Sequence, residues 1–389
     1  MKHTVLFAVM IGISSLCLPG MIPGFYGARS LALGQSIFAG GWDVNAIYLN
    51  PAALAEAQVG LTAYQYQQAY RDYQGFEDSL LEAMSTDLGS FSQLSPAQRG
   101  EAVGALEELW SSRHGISGST ASLPAVVSRN FGFSISWVRS GRMHPVDTDA
   151  FDIPAESWDS NEIDSLRMRF TGLNYRQYSL AYALDLTRSM RLGVGLHYLT
   201  GKGTRFDAPL TGAPFSQEAG IRDLTSYAWE QAGNKFNRIL ADLSLVVSLG
   251  TNFQGVLVAK NIGKAKISLD SASLELPQRL IAGLAFRPSG RMAIYLNMDL
   301  KATDLWQDGT DVQPISLAVE FALYQQRIFL RAGIWNDIEE KYFLGSRSNV
   351  QYGLGLGFRM SRVILDVGMA LDSSGSVAGL AVGAAILVQ

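Results

Sequence analysis

Large apolar side chains alternate with small ones through most of the chain. In the segment 352–360, the large residues fall at every second position and glycines fall between them. Because successive side chains of a β-strand point to opposite faces, this alternation predicts a strand with two different faces. About fourteen segments share the pattern, and most are as long as a tilted strand that crosses a membrane, about 9–11 residues. The chain is therefore predicted to be all-β. The segments are 57–66, 116–127, 131–140, 167–186, 190–200, 236–248, 252–262, 277–287, 290–301, 315–324, 326–336, 349–360, 362–371 and 376–388.

A membrane barrel and a soluble β-sandwich both have one apolar strand face, so the small face of these strands is what distinguishes the two architectures. In a sandwich the second face meets water and is usually rich in Lys, Glu and Thr. Here it is mostly Gly, Ala and Ser, which suits the crowded inside of a barrel. Because every backbone polar group in hydrocarbon must be paired, strands cross a membrane only as a closed barrel. We therefore predict a transmembrane antiparallel β-barrel, with a soluble sandwich as the alternative.

A few polar side chains are scattered along the small face, which a barrel turns toward its lumen. His197 is one of them, and it could lie near Asp185 or Ser179 as a hydrogen-bonded interior residue. We expect these groups to pair inside the barrel, because an unpaired buried charge is costly. The predicted lumen-facing residues are Asp185, His197, Asp299, Glu320, Arg331, Arg359 and Asp366.

Aromatic residues lie near the ends of several predicted strands. Their amphipathic rings favour the headgroup level of a membrane, so we expect an interface belt. The candidates are Tyr64, Tyr66, Tyr70, Tyr73, Trp137, Tyr198, Phe286, Trp306, Trp335 and Phe358.

The connections between predicted strands are of two kinds. Short turn signals stand at 187–189, 288–290 and 372–375. Short turns on one side and long loops on the other are typical of outer-membrane barrels. The longer polar loops are 141–165, 201–224, 302–313 and 337–348.

Residues 77–112 follow a helical pattern instead. Ser95 and Gln98 form a capping box with Pro96 at the first helical position. An apolar stripe at helical spacing follows, which predicts a helical hairpin inserted between two strands. We expect the stripe to pack on the protein itself, with docking to a partner as the alternative. A shorter helix is predicted within 221–235.

Composition and the first residues indicate export. Of 389 residues, 17% are charged and 39 are glycine, with a net charge of −4. The hydrophobic share of 48% argues against disorder, and the net charge argues against nucleic acid as a partner. Residues 1–20 combine a positive end with an apolar run, the pattern of a signal peptide with an unclear cleavage point. The only cysteine, Cys17, lies within this segment.

The sequence holds no strong motif for catalysis or for cofactor binding. The four histidines lack metal-ligand spacing, and glycines 353, 355 and 357 mark a strand face rather than a phosphate-binding turn. His197 is the best catalytic candidate for an enzyme of the outer membrane, which stays a remote alternative. We therefore predict no enzymatic activity, no metal and no cofactor.

The region after the predicted signal peptide carries a recognisable motif. It reads G-A-R-x-x-x-L-G-x-x-x-x-A from Gly27 to Ala39, then D-x-x-A-x-x-x-N-P-A-x-L-A from Asp43 to Ala55. A second stretch, V-x-K-N-x-G followed by L-P-x-R-L, ends at Leu280. These motifs resemble those of the FadL-type superfamily of outer-membrane proteins, most closely its PorV-like and TraF-like branches. Members usually end on an aromatic residue, whereas this sequence ends on Gln389.

The resemblance implies a fourteen-stranded barrel spanning 57–389, with residues 21–56 folded inside as a plug. It gives Asn50, Pro51 and Ala52 a plug or gating role, although a simple helix start also explains this turn. In the fatty-acid branch, hydrophobic substrates bind inside the barrel and leave sideways into the membrane. The PorV-like branch serves protein secretion, and the TraF-like branch takes its name from conjugal transfer.

Two functions follow as hypotheses for a protein of the cell outer membrane. The first is transport of small hydrophobic compounds, with a hydrophobic ligand and outer-membrane lipid as partners; it predicts an apolar pocket and a kinked strand or side opening. The second is a structural or partner-binding barrel for envelope secretion or transfer proteins, with the 77–112 hairpin as its docking surface.

Overall fold

The computed structural model describes most of the chain after the predicted signal peptide. The signal peptide itself, and most of the helix predicted at 221–235, lie outside the described residues. Those residues are 27–34, 38–39, 43–57, 60–72, 76–85, 88–111, 116–122, 124–146, 151, 157–210, 233–263, 265–269, 273–304, 311–338, 350–373 and 375–387.

Strands dominate the described chain, as the alternating pattern predicts. They are β1 (Gly60–Asp72), β2 (Ile116–Ser122), β3 (Ala125–Ser128), β4 (Phe131–Pro145), β5 (Arg167–Asp185), β6 (Met190–Pro209), β7 (Asn234–Leu249), β8 (Phe253–Ile262), β9 (Lys266–Ser268), β10 (Ser273–Glu275), β11 (Arg279–Ser289), β12 (Met292–Asp299), β13 (Thr303–Asp304), β14 (Asp311–Val312), β15 (Pro314–Leu323), β16 (Ile328–Asp337), β17 (Gln351–Met360), β18 (Val363–Leu371) and β19 (Val377–Leu387).

One antiparallel sheet closes into a barrel. Each of its strands pairs with the next one along the chain, and the last strand, β19, pairs with β1 from Gly60 opposite Leu387 to Ala69 opposite Gly379. The short strands β2 and β3 both pair with β1 on one side and β4 on the other, so they form one crossing. The barrel therefore has fourteen crossings, as predicted. The pairs β9–β10 and β13–β14 are small hairpins in its connections.

The two faces of the wall differ as the sequence predicts. On β6, for example, Leu196 is 48% exposed on the outside, while Gly195 and His197 lie on the inner face. Large apolar side chains are exposed in the same way on most crossing strands, and the small residues between them face inward. An apolar exterior around a closed sheet is the surface of a membrane-spanning barrel.

The residues predicted for the aromatic belt differ in exposure, and two of them, Tyr66 and Trp335, are buried. Trp137 and Tyr198 are 43% and 42% exposed on the outer face, and Phe358 is exposed as well. Trp335 instead lies inside the barrel, buried in an apolar cluster with residues of the N-terminal segment. It shares the inward face of β16 with Arg331 and Gly333, so the alternation along that strand outweighs its preference for the interface.

The two ends of the barrel differ in their connections. At one end, here called the short-turn end, the connections are 129–130, 186–189, 250–252, 290–291, 324–327 and 361–362. Gly60 and Leu387, the first and last paired residues, also lie there. The opposite, long-loop end carries the longer connections and the extensions of β5 and β6, which are 19 and 20 residues long.

Helices complete the fold. They are α1 (Gly27–Ala32), α2 (Ala46–Leu49), a 3-10 helix (Pro51–Ala55), α3 (Phe76–Ser85), a second 3-10 helix (Leu88–Gln93), α4 (Pro96–Ser111) and α5 (Ser160–Ser165). None of the helices in the described ranges is long and apolar enough to cross a membrane.

The predicted helical insertion is present between β1 and β2, and its apolar stripe packs on the protein itself. The capping box forms, since Ser95 N–H donates to Gln98 Oε1 at 3.0 Å. Leu106 of α4 is fully buried in a cluster with Met143 of β4 and Phe170 of β5. These two strand residues belong to the outward face of the wall, so the helices lie against the outside of the β4–β6 extension at the long-loop end.

This packing predicts that the helices can be detached without losing the barrel. In Leu106→Asp, an uncompensated buried carboxylate costs about 3–5 kcal/mol, more than a short helical hairpin is expected to withstand. Limited proteolysis should then cut within 76–111, while heat-modifiable gel mobility still reports a folded barrel. The exposed neighbour supplies the control, Glu107→Ala, which should resist proteolysis like the parent. Loss of heat-modifiable mobility in Leu106→Asp would contradict an independent helical layer.

Candidate functional site: the plug and the cavity beside it

The described part of the segment 27–57, here called the plug, lies inside the barrel. Helix α1 contacts β16, β17, β18, β19 and β1, while the 3-10 helix Pro51–Ala55 contacts β4 to β7 on the opposite wall. The apolar residues of the plug are buried against inward-facing residues of both walls. The plug therefore bridges the lumen from one wall to the other.

Glycines on the inner face let the plug backbone approach the strands closely. A Cβ added at Gly193 would lie 2.0 Å from the backbone nitrogen of Ala52, and one added at Gly368 would lie 2.1 Å from the carbonyl oxygen of Ala28. Real Cβ atoms do not approach backbone atoms so closely, so only glycine fits at these two positions. This contact accounts for part of the glycine surplus on the small face of the strands.

The turn Asn50–Pro51–Ala52 is anchored on this inner face. All three residues are buried. Asn50 donates from Nδ2 to the carbonyl oxygen of Phe38 at 2.8 Å, and Ala52 N–H donates to Ser244 Oγ of β7 at 2.8 Å. Pro51 opens the 3-10 helix, where its missing N–H leaves no unpaired donor. The turn therefore holds one end of the plug against β6 and β7.

A chain of buried charges holds the other end of the plug. Arg29 of α1 binds Glu320 of β15 with two hydrogen bonds of 2.9 Å. Glu320 also accepts from Arg331 of β16 at 2.6 Å, and Arg331 donates to Asp366 of β18 at 2.5 Å. The plug cation is therefore the first member of a network that ties three strands together. We call it the Arg29 network.

Two further groups keep Arg29 charged and in place. Tyr295 of β12 accepts from Arg29 at 3.2 Å, and Asp43 of the plug lies 3.5 Å from its guanidinium. Burial by itself would lower the pKa of Arg29, but the charge and hydrogen bonds of Glu320, together with Tyr295 and Asp43, outweigh it, so the pKa lies well above its ordinary value. Arg29 therefore stays charged, and its removal from the network would leave the carboxylates of Glu320 and Asp366 to share Arg331.

A second polar cluster lies under the plug on the opposite wall. His197 Nδ1 lies 2.8 Å from Ser179 Oγ, and Nε2 lies 2.9 Å from Asp242. Lys260 binds both Asp242 and the carbonyl oxygen of Tyr48 in the plug. Although Ser, His and Asp adjoin here, all three are buried and both ring nitrogens of His197 are occupied. The cluster is therefore suited to holding the plug rather than to catalysis.

Tyr48 links this cluster to β4. Its hydroxyl bonds Ser134, and its ring stacks against that of His197 with centroids 6.3 Å apart. Burial raises the pKa of Tyr48 to about 12, so the hydroxyl stays neutral near pH 7 and can donate.

The remaining predicted lumen residues lie elsewhere. Asp185 sits at the short-turn rim, where its side chain is 59% exposed and 3.3 Å from Arg191. Asp299 is buried toward the long-loop end with Arg279, at 2.7 Å. Arg359 lines a cavity beside the plug, described below. The structure thus brings together Glu320, Arg331 and Asp366, and separates Asp185, His197 and Asp299 from them.

Several residues of the site were not predicted from the sequence. Asp242 and Ser244 alternate along β7 and could have been found from strand periodicity. Arg29 stands in the motif at the start of the plug, but its partner Glu320 is 291 positions away. Among the described residues, no group of three His, Cys, Asp or Glu side chains could hold a metal ion.

A cavity lies between part of the plug and the β15–β19 wall; it is partly open to solvent and measures about 830 Å³ with its open part included. One side of it is polar and contains the Arg29 network and Arg359. Asn45 and Gln65 add buried amide atoms that have no hydrogen-bond partner in the described chain. The apolar lining consists of Val44, Phe329, Ile364, Ala385 and Leu387. The cavity therefore combines an apolar surface with a few polar groups, as ligand sites for small molecules generally do.

The barrel wall is irregular next to this cavity. β1 pairs with β3 as far as Thr62 and with β2 from Tyr66 onward, so the described ladder skips residues 63–65 on that side. Pro124, which lies between β2 and β3 and lacks an N–H, cannot donate across the gap. On its other side, β1 has a register shift between Thr62 and Tyr64 against β19. The wall thus has fewer cross-strand bonds here than along its regular strands.

The irregular stretch faces both the cavity and the lipid. Gln65 lines the cavity, as do Gly383 and Ala385 of β19, which pair with β1 at this height. On the other side of the break, Pro124 accepts a backbone hydrogen bond from Ile135 of β4. Ile135 belongs to the outward face of β4, within the apolar exterior. The break is therefore at the level of the hydrocarbon.

Comparisons with known proteins find similarity to solved structures. No family model and no curated protein matches the chain. The chain is similar to the toluene transporter TbuX of Ralstonia pickettii, with 11% identity, a TM-score of 0.48 and coverage of 94% of this chain and 97% of that one. It is also similar to the toluene transporter TodX of Pseudomonas putida, with 12% identity, a TM-score of 0.49 and coverage of 95% of this chain and 98% of that one. A FadL homologue of Pseudomonas aeruginosa is similar with 12% identity, a TM-score of 0.48 and coverage of 95% of this chain and 97% of that one.

The Arg29 network predicts a large difference between two acidic residues. Glu320→Gln leaves two buried arginines without their shared carboxylate, which should lower the free energy of unfolding by about 3–5 kcal/mol. Asp185→Asn removes an exposed rim partner and should cost at most about 1 kcal/mol. Thermal unfolding in detergent, followed by tryptophan fluorescence, measures both variants. Equal losses would show that the network contributes little to seating the plug.

The close approach of the plug to the wall predicts that alanine substitutions at two different glycines have different effects on stability. Gly193→Ala places a Cβ against the backbone of Ala52 and should destabilise the protein by about 1–3 kcal/mol through overpacking. Gly255→Ala is the control. A Cβ added at Gly255 would have its nearest neighbouring atoms 4.0 Å away, so this variant should cause no loss of stability. The same thermal unfolding assay measures the stability of both variants. A neutral Gly193→Ala would mean that the turn does not rest on β6.

Proposed function

We propose that this protein is a FadL-type barrel of the cell outer membrane that transports small hydrophobic compounds. The observation that carries the proposal is the position of the cavity. It lies between a firmly anchored plug and the one part of the wall where the described ladder between β1 and its neighbour is interrupted. A compound in the cavity is thus separated from lipid by a short irregular stretch of wall.

The lining of the lumen favours a hydrophobic compound over a polar one. From the level of His197 toward the long-loop end, several inward-facing side chains of β4 to β7 are apolar and pack with the β9–β10 hairpin, with polar residues such as Ser136 and Ser140 between them. A channel for polar solutes has a polar, water-filled interior instead. The inward-facing apolar residues at this level include Val138, Leu173, Leu199, Phe236 and Leu240.

A sideways exit agrees with the way the plug is held. A path along the barrel axis would require the plug to leave, which would break the Arg29–Glu320 pair, the hydrogen bond from Ala52 to Ser244 and the hydrogen bond from Lys260 to Tyr48. A path through the wall near Pro124 requires only local movement of β1 and β2. We therefore propose that the turn Asn50–Pro51–Ala52 anchors the gate, and that the opening forms beside the plug.

The structure gives less reason to propose a docking barrel for secretion or transfer proteins. That hypothesis assigned docking to the helical insertion, but the apolar stripe of α4 is buried against β4 and β5 of the same chain. The exposed positions described in α4 hold only small, polar or acidic residues and Pro96.

A cavity-filling variant tests the proposed route. Ala385→Trp should fill the space behind the irregular wall and slow uptake several-fold. Uptake is measured as the fluorescence rise of N-phenyl-1-naphthylamine, a hydrophobic dye, in cells that express the protein. Val367→Trp, on the lipid-facing side of β18, adds the same side chain outside the cavity and is the matched control.

The outcomes separate the proposal from its alternatives. Uptake slowed by Ala385→Trp but not by Val367→Trp, at equal amounts of folded barrel, supports the route. No dye uptake by the parent above cells that lack the protein would overturn transport. Swelling of protein-containing liposomes in arabinose would indicate a water-filled channel for polar solutes instead.

A further inference from the structure

Four cations form a patch on the outer surface of the barrel. Arg139 of β4, Arg176 of β5, Lys202 of β6 and Lys235 of β7 are all exposed. Each occupies an outward position of its strand, on the same face as the exposed Trp137 and other lipid-facing residues. We call these four residues the cationic patch.

The strand register places the four side chains close together. Arg139 is opposite Asn174, Asn174 is opposite Lys202, and Lys202 is opposite Lys235, so these residues form one row across four strands. Arg176 is opposite Trp137 in the adjacent row. Since neighbouring strands are about 4.8 Å apart, the row spans about 15 Å.

The patch has no internal compensation. Lys202 and Lys235 are directly opposed, an arrangement of like charges that destabilises a sheet. None of the four cations makes an ion pair or side-chain hydrogen bond within the described chain. The outward positions of β4 to β7 also contain no Asp or Glu, because the acidic residues of these strands, such as Asp207 and Asp242, face the other way. An anion bound at the patch would relieve this repulsion.

The height of the patch identifies the anion. Toward the short-turn end, the next outward rows hold Tyr178 and Tyr198, whose rings lie 6.1 Å apart, and then only apolar or aromatic residues. Toward the long-loop end lie Met143 and Phe170, which are covered by the helical layer. The patch thus sits between the apolar belt and the helices, at the level of lipid headgroups.

We propose that the cationic patch binds phosphorylated lipid headgroups of the leaflet at the long-loop end. Several cations within about 15 Å at the membrane surface match a headgroup that carries more than one phosphate, and each such cation strengthens binding to anionic lipid. The lipid neutralises the opposed lysines and holds β4 to β7 and the helical layer at a fixed depth. This role is separate from transport and does not depend on it.

Lipid A, which carries two phosphates, is the probe. Native mass spectrometry of the detergent-solubilised protein measures its binding, with phosphatidylcholine as a neutral lipid and inorganic phosphate as a free anion. The variant Lys202→Gln/Lys235→Gln should weaken lipid A binding by about fivefold for each cation removed. The control, Arg188→Gln/Arg362→Gln, removes two exposed cations from the short-turn end and should leave binding unchanged.

Thermal stability supplies a second readout with the opposite sign. Without lipid A, Lys202→Gln/Lys235→Gln should melt higher than the parent protein, because the like-charge contact is gone. With lipid A, only the parent and the control variant should gain stability. Unchanged lipid A binding in the lysine variant, an equal loss in the control, or equal stabilisation by inorganic phosphate and by lipid A would each overturn the proposal.

Discussion

A segment that is not part of the barrel wall can lie inside a membrane barrel only where its backbone groups and charges find partners. The plug meets this requirement on two opposite walls. Glycines of β6 and β18 allow its backbone to approach the wall closely. Ser244 accepts a hydrogen bond from Ala52, and Glu320 binds Arg29. Most other features of the molecule follow from this arrangement: the small inner face of the strands, the buried charges in a chain poor in charge, and the cavity left where the plug does not reach the wall.

The same contacts limit how the protein can open. A buried ion pair adds little net stability when formed, but breaking one by removing a single partner is expensive. Expelling the plug would break several such contacts at once. The irregular stretch of β1 near Pro124 has few cross-strand bonds to lose. The cavity is already partly open to solvent, and the cheapest motion that would connect it with lipid as well is therefore in the wall.

Much of the fold could be predicted from sequence because the signals are local. Period-two alternation marks each crossing, so the strand number and the direction of residues such as Leu196 and Gly195 follow directly. The capping box at Ser95 likewise places α4. The contacts of the site depend instead on which strands come together around the plug. Nothing near Arg29 indicates Glu320 as its partner, and nothing near Gly193 indicates that a backbone nitrogen will rest on it. Trp335 shows that strand alternation should have outweighed the general preference of tryptophan for the interface.

The central claim is that hydrophobic compounds pass beside a plug that stays seated. A disulfide between plug and wall tests it most directly. A Cβ at Gly283 would lie 3.1 Å from that of Ala39, slightly below the spacing of about 3.5–4.5 Å in disulfides, and 2.4 Å from Asn297 Oδ1. Ala39→Cys/Gly283→Cys with Cys17→Ser should therefore form a disulfide once the Asn297 side chain moves aside. Dye uptake is then compared between oxidised and reduced protein. The account predicts equal uptake in both states, whereas uptake that appears only after reduction would show that the plug must leave its seat.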